Sequence, residues 1–121
     1  MCLNKKKNDR LKFAFRNIVC YKFVEVSWSG DLVTPYQRTK IEIGKAYKSP
    51  LKNQGYKVEY GLHSLKNSVD CSEVANIFKD ENEEIKIIKC IIPFGSFYYK
   101  GDFKGFDGYA SNKIQYVEEI I

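Results

Sequence analysis

Ile85-Lys86-Ile87-Ile88-Lys89-Cys90-Ile91-Ile92, followed at once by Pro93-Phe94-Gly95-Ser96, is the stretch whose reading decides the fold. Its β-branched residues favour an extended chain. Ile85, Ile87 and Ile91 fall on one face and Ile88, Cys90 and Ile92 on the other, which predicts a central strand covered on both sides. A last run from Lys113 to Ile121 carries Ile114, Tyr116, Val117 and Ile120 and predicts a closing strand. Between the two, glycines at 95, 101, 105 and 108 alternate with Phe94, Phe97, Tyr98, Tyr99, Phe103, Phe106 and Tyr109. Seven aromatics in sixteen residues of loop-like sequence make this the most unusual segment of the chain.

Upstream the pattern is also of strand type. Leu11, Phe13 and Phe15 alternate with Lys12, Ala14 and Arg16, and Cys20 to Trp28 is rich in β-branched and aromatic residues. Phe23 and Val24 are adjacent apolar residues, so a bulge or burial on both faces is expected there. Ser29-Gly30-Asp31 marks a turn, Lys40 to Ile43 a short strand, and Asn53-Gln54-Gly55 a further turn before Tyr56, Val58, Tyr60 and Leu62, which share one face. One helix is expected: Asn67 or Ser68 as N-cap, Asp70 and Glu73 in the first turn, and Cys71, Val74, Ala75 and Phe78 at helical spacing. Lys79 falls in its last turn and Asp80 to Glu84 reads as a solvated acidic loop. Tyr21, Phe23, Trp28, Tyr56 and Phe78 are assigned to the core.

The resulting expectation is an α+β fold, a twisted, mainly antiparallel sheet of five or six strands packed on one helix. A basic arm over residues 1–10, with Lys5, Lys6, Lys7 and Arg10, is too poor in apolar residues to order itself by burial, and residues 11–121 form the single domain. A chain of 121 residues suffices for one core without metal or disulfide staples. Cys2, Cys20, Cys71 and Cys90 lack zinc spacing and read as structural thiols, Cys71 and Cys90 on buried faces. No 18-residue apolar run exists, and no apolar segment follows the N-terminal lysines as in a signal peptide, which predicts the cytoplasm. The bias toward Lys, Ile, Asn, Tyr and Phe is that of AT-rich codons.

Charge divides the chain. Residues 1–66 hold fourteen Lys/Arg against five Asp/Glu, and residues 67–121 six against ten. No motif specifies a reaction. His63 is the sole histidine, so a nucleophile pair would need it together with Ser64, Cys71 or Cys90, and its place between a strand and a helix reads as structural hydrogen bonding. Asp80 to Glu84 lacks the spacing and turn glycine of a calcium loop, and the glycines precede a strand rather than a helix, unlike a phosphate loop. No catalytic residue, cofactor or metal is therefore expected. Binding is left. Lys12, Arg16, Lys22, Arg38, Lys40 and Lys45, with Lys48, Lys52 and Lys57, supply phosphate contacts, and Tyr98, Tyr99, Phe103, Phe106 and Tyr109 supply stacking to RNA or anchors to a protein. The alternative for these aromatics is core.

Gly44-Lys45-Ala46-Tyr47, Tyr60-Gly61-Leu62-His63-Ser64, Ile92-Pro93-Phe94-Gly95-Ser96-Phe97-Tyr98-Tyr99 and Tyr109-Ala110-Ser111-Asn112-Lys113-Ile114 resemble segments of small uncharacterised proteins encoded by phages and prophages, over residues 40–121. The resemblance implies a mobile-element origin. From it follows the leading expectation: a non-catalytic, anti-CRISPR-like anti-defence inhibitor, acting in the bacterial host on a nuclease effector or its guide RNA, with an RNA-targeting CRISPR ribonucleoprotein one such partner. The Ile-Pro-x-Gly-Ser turn after a strand is also similar to a segment of some ADP-ribosyltransferases, which implies a catalytic glutamate further on. Asp102, Asp107, Glu118 and Glu119 follow the turn without that family's E-x-E arrangement. A sponge for a nucleotide second messenger, held in the aromatic segment, is the third reading.

Overall fold

The computed structural model describes residues 3–4, 10–35, 38–78 and 84–120. Its strands are β1 (Leu3–Asn4), β2 (Lys12–Phe13), β3 (Ile18–Val26), β4 (Leu32–Val33), β5 (Ala46–Lys48), β6 (Lys52–Gln54), β7 (Lys57–Tyr60), β8 (Leu62–Leu65), β9 (Glu84–Ile92), β10 (Phe97–Phe103), β11 (Phe106–Ser111) and β12 (Lys113–Glu119), with one helix, α1 (Ser68–Phe78), between β8 and β9. They form a single antiparallel sheet in the order β5-β12-β9-β3-β8-β11-β10-β1-β7-β6, with β2 against β10 and β4 against β3. The expected sheet of five or six strands on one helix is thus corrected: the fold is mostly β, with 56% of the described residues in strands, and the ten-strand path curls into a half-barrel. Curling follows from sheet twist accumulated over many strands.

The isoleucine stretch is an interior strand, covered on both faces as expected. β9 lies between β3 and β12, in unbroken register with β3 from Ile18↔Ile92 to Val26↔Glu84. That continuous register means Phe23 and Val24 are not a bulge; both are buried because the strand is covered on both faces. One face carries Cys20, Val24, Ile88, Cys90 and Ile92, with Tyr98, Tyr109, Ile114 and Tyr116. On the opposite face α1 lays Cys71, Val74 and Ala75 against Phe23, Ile87 and Leu65, a layer that continues through Leu3, Val58, Phe103 and Ala110. The helix begins where its sequence predicts, but the Asn67 side chain donates to Asp70 Oδ2 instead of accepting from a backbone N–H, and the Cys71 N–H donates to the Asn67 carbonyl.

The glycine-rich aromatic segment is not a loop. Residues 97–111 form the hairpin β10–β11, paired from Tyr98↔Ser111 to Phe103↔Phe106, and turn at Lys104-Gly105. Gly101 and Gly108 face each other across it, where the chain passes close to other backbone. An added Cβ on Gly101 would strike the Asn4 carbonyl, and one on Gly108 would sit 2.6 Å from the Phe103 ring and 2.7 Å from the Ser64 carbonyl. These glycines serve close packing.

Other expectations change in the same way. Leu3, within the supposed mobile arm, is fully buried in β1 between β10 and β7. Lys40–Ile43 is no strand: Lys40 makes one bridge to Val33, and Ile43 is exposed. Trp28 and Tyr56, assigned to the core, are 99% and 58% exposed. Tyr21 is half-buried, while Lys79, residues 80–83, Cys2 and the Phe78 side chain lie outside the described residues. Cys20, Cys71 and Cys90 are free and buried. No helix among the described residues is long and apolar enough to cross a membrane.

Candidate functional site

Two features stand out from the packing. The first is a cavity of about 460 Å³ where the sheet divides. β3 and β8 pair at one register only, Tyr21↔Leu65, and beyond it β3 takes β4 as its neighbour at Glu25↔Val33. Lys22, on the same face as Cys20 and Val24, reaches across the parting and donates from Nζ to the His63 carbonyl at 2.6 Å. Tyr21, Tyr47, Tyr60, Tyr116 and Phe103 supply aromatic walls, and Lys48 and Glu59 line the cavity with exposed polar groups.

Burial governs the electrostatics here. Desolvation lowers the Lys22 pKa, opposed only weakly by neighbouring cysteines. The same desolvation wins over the attraction of Lys22 at the thiols, raising Cys20 to about 11 and Cys71 to about 12. Cys90 is also raised, chiefly by burial. His63 is lowered to about 4, first by burial and then by the charge of Lys22, so it is neutral at pH 7. Its ring stands edge-on to Phe103 at 5.6 Å. Its Nε2 is buried without a hydrogen-bond partner. None of the raised thiols is a nucleophile at neutral pH, because the thiolate is the reactive form.

The second feature is a surface of phenylalanines at the opposite end of β10. Ala14 N–H donates to the Ser96 carbonyl, Gly95 N–H to the Ala14 carbonyl, and Phe94 N–H to Asn17 Oδ1 at 2.8 Å. These bonds strap the 10–17 segment to the Pro93–Ser96 turn, with Phe13 opposite Phe97. Alternation then runs opposite to expectation: Ala14 is buried, and Phe13 and Phe15 face out. The Phe13 ring meets Phe15 at 5.0 Å, Phe97 at 5.5 Å and Phe94 at 6.1 Å, all edge-on. Phe15 is 81% and Phe94 65% exposed. Arg10 and Arg16, also exposed, flank Phe13 and Phe15 in the chain, with Lys12 half-buried between them.

Residues marked from sequence for partner or RNA binding are dispersed. Lys12 and Arg16 neighbour Phe13 and Phe15 in the chain, and Lys22 lines the cavity. Arg38 pairs with buried Glu25, Lys40 with Asp31 at 3.6 Å, and Lys45 stands 5.6 Å over the Tyr47 ring. Tyr98, Phe103 and Tyr109 are buried, so they do not present a stacking surface; Tyr98 and Tyr109 pack on each other at 5.9 Å. Tyr99 and Phe106 are half-buried, and the Tyr99 hydroxyl donates to Asn53 Oδ1 at 3.2 Å. They are covered because period-two strand geometry, not loop exposure, governs this segment. Glu118 and Glu119 are exposed on β12, away from the cavity lining. The exposed phenylalanines went unmarked because apolar alternation is silent on which face is covered; Phe94 on a Pro-Phe-Gly turn tip was the available signal. No family model, curated protein or solved structure matches the chain.

Proposed function

We propose that this chain is a non-catalytic binding protein that docks on another protein through its phenylalanine surface. One observation carries the reading: Phe13, Phe15, Phe94 and Phe97 form a single edge-on ring cluster on the outside of the fold. Leaving such a cluster in water is unfavourable, at about 25 cal/mol per Å² of apolar surface, and aromatic anchors of this kind dominate interface energetics. Exposed Arg10 and Arg16, neighbours of these rings in the chain, favour a partner with an apolar pocket and acidic groups near it. The likeness of residues 40–121 to phage and prophage proteins supplies the partner class, a host defence nuclease effector, CRISPR effectors included.

The test uses tagged wild type and a Phe15→Ser/Phe94→Ser double variant in a defence-positive bacterial host. The expected result is recovery of a nuclease effector in an RNase-resistant complex, with protection of phage, and loss of both in the double variant at unchanged melting temperature. Release by RNase would assign the contact to guide RNA instead. Recovery of no nuclease, together with no protection, overturns the proposal.

A further inference from the structure

The cavity beside Lys22 is not used by a docking surface at the other end of β10, and its chemistry is that of a site. Lys22 is half-buried, and its ammonium has three N–H groups, one of them committed to the His63 carbonyl. Among the described lining residues the carboxylate is Glu59, which is exposed to water rather than folded onto the amine. Desolvation disfavours the charged form of this amine, and an anion brought to it favours that form. His63 also lines the cavity. The volume falls within the range of about 300–1,000 Å³ usual for small-ligand pockets, and Tyr21, Phe23, Tyr47, Tyr60, Phe103 and Tyr116 are among the lining residues.

We infer that the cavity between β3 and β8 binds a small organic anion with a flat aromatic body, its charge on Lys22 and its ring against Tyr47 and Tyr60, with His63 in the lining. An aromatic carboxylate and a nucleoside monophosphate share this chemistry. Neither the site nor its ligand class depends on the docking partner, so the two proposals fail separately.

The test is calorimetric titration of the full chain with adenosine monophosphate and with 4-hydroxybenzoate at millimolar concentration, each beside its neutral counterpart, adenosine and 4-hydroxybenzyl alcohol. One anion is expected to bind, its neutral counterpart at least about tenfold more weakly, and the anion that binds identifies the source. Binding should shift the His63 ring ¹⁵N resonances and weaken at least about tenfold in Lys22→Met. Tyr60→Ala, at an exposed position that folding tolerates, should weaken it by a smaller factor. Should Lys22→Met fail to fold, the His63 shift and the anion preference in wild type still decide the matter. No binding of either anion, equal binding of the neutral compounds, or saturable binding without a His63 shift overturns the inference.

Discussion

Lys22 and His63, 41 residues apart in sequence, are joined by one hydrogen bond, Nζ to the His63 carbonyl at 2.6 Å, at the place where β3 and β8 part. The ammonium caps a carbonyl at the margin of the ladder and sets the charge that His63 feels. The bond bridges the two strands at the place where their backbone pairing ends.

A pH dependence follows from that pair. His63 titrates at about 4 in the folded chain and near 6.5 when unfolded. Between those values the unfolded state binds the proton and the folded state does not. Stability from keeping the imidazole neutral is thus complete above pH 6.5 and lost as pH falls toward 4. The loss is on the order of 2 kcal/mol by about pH 5. Urea midpoints should fall over this range in wild type and much less in His63→Gln; a flat wild-type profile contradicts the burial of the ring.

The three buried thiols should be inert. With Cys20 at about 11, Cys71 at about 12 and Cys90 also raised, thiolate is scarce at neutral pH. In a Cys2→Ser background, a thiol-exchange reagent should label nothing in native protein within minutes and all three in denaturant. Rapid native labelling of any of them would show that the sheet face opens.

Gly101 and Gly108 should tolerate no side chain. Gly108→Ala places a methyl within 2.6 Å of the Phe103 ring and 2.7 Å of the Ser64 carbonyl, and backbone cannot move as a side chain does. The expected cost is about 1–3 kcal/mol by chemical denaturation. Gly101→Ala, directed at the Asn4 carbonyl, should in addition release β1, seen as faster amide exchange at Val58, the partner of Leu3.

Trp28 offers a fluorescence check. At 99% exposure its emission should already be that of solvated indole in the native state and barely shift on unfolding. A blue-shifted native spectrum would place the Ser27–Asp31 turn against another surface.

Much of this was legible in the sequence. The isoleucine stretch read as a central strand because both its parities are apolar, and α1 because Cys71, Val74 and Ala75 share a helical face and are buried. The hairpin over Phe97 to Ser111 was illegible as strand because glycine, a poor strand former, is also what close backbone approach requires. The curl of the sheet depends on pairings such as Leu3↔Val58 and Gln115↔Ala46, far apart in sequence and set by no local pattern. For the same reason Lys22 reads as one more surface cation; only the parting of β3 from β8 shows it half-buried against the His63 carbonyl.

Phe103 and Phe15 separate core from candidate interface. Phe103 is 2% exposed, stacked edge-on to His63 and packed over Gly108, so Phe103→Ala opens a void among groups that cannot all collapse. It should cost about 3–5 kcal/mol. Phe15 is 81% exposed and touches chiefly another surface ring, so Phe15→Ala should change stability by no more than about 0.5 kcal/mol. Only the second is a clean probe of docking, since its partner loses an anchor while the fold is unchanged. Denaturation of both variants in parallel checks the assignment: a Phe15→Ala cost approaching that of Phe103→Ala would mean the ring is buried in the folded chain, and the docking surface would have to be drawn without it.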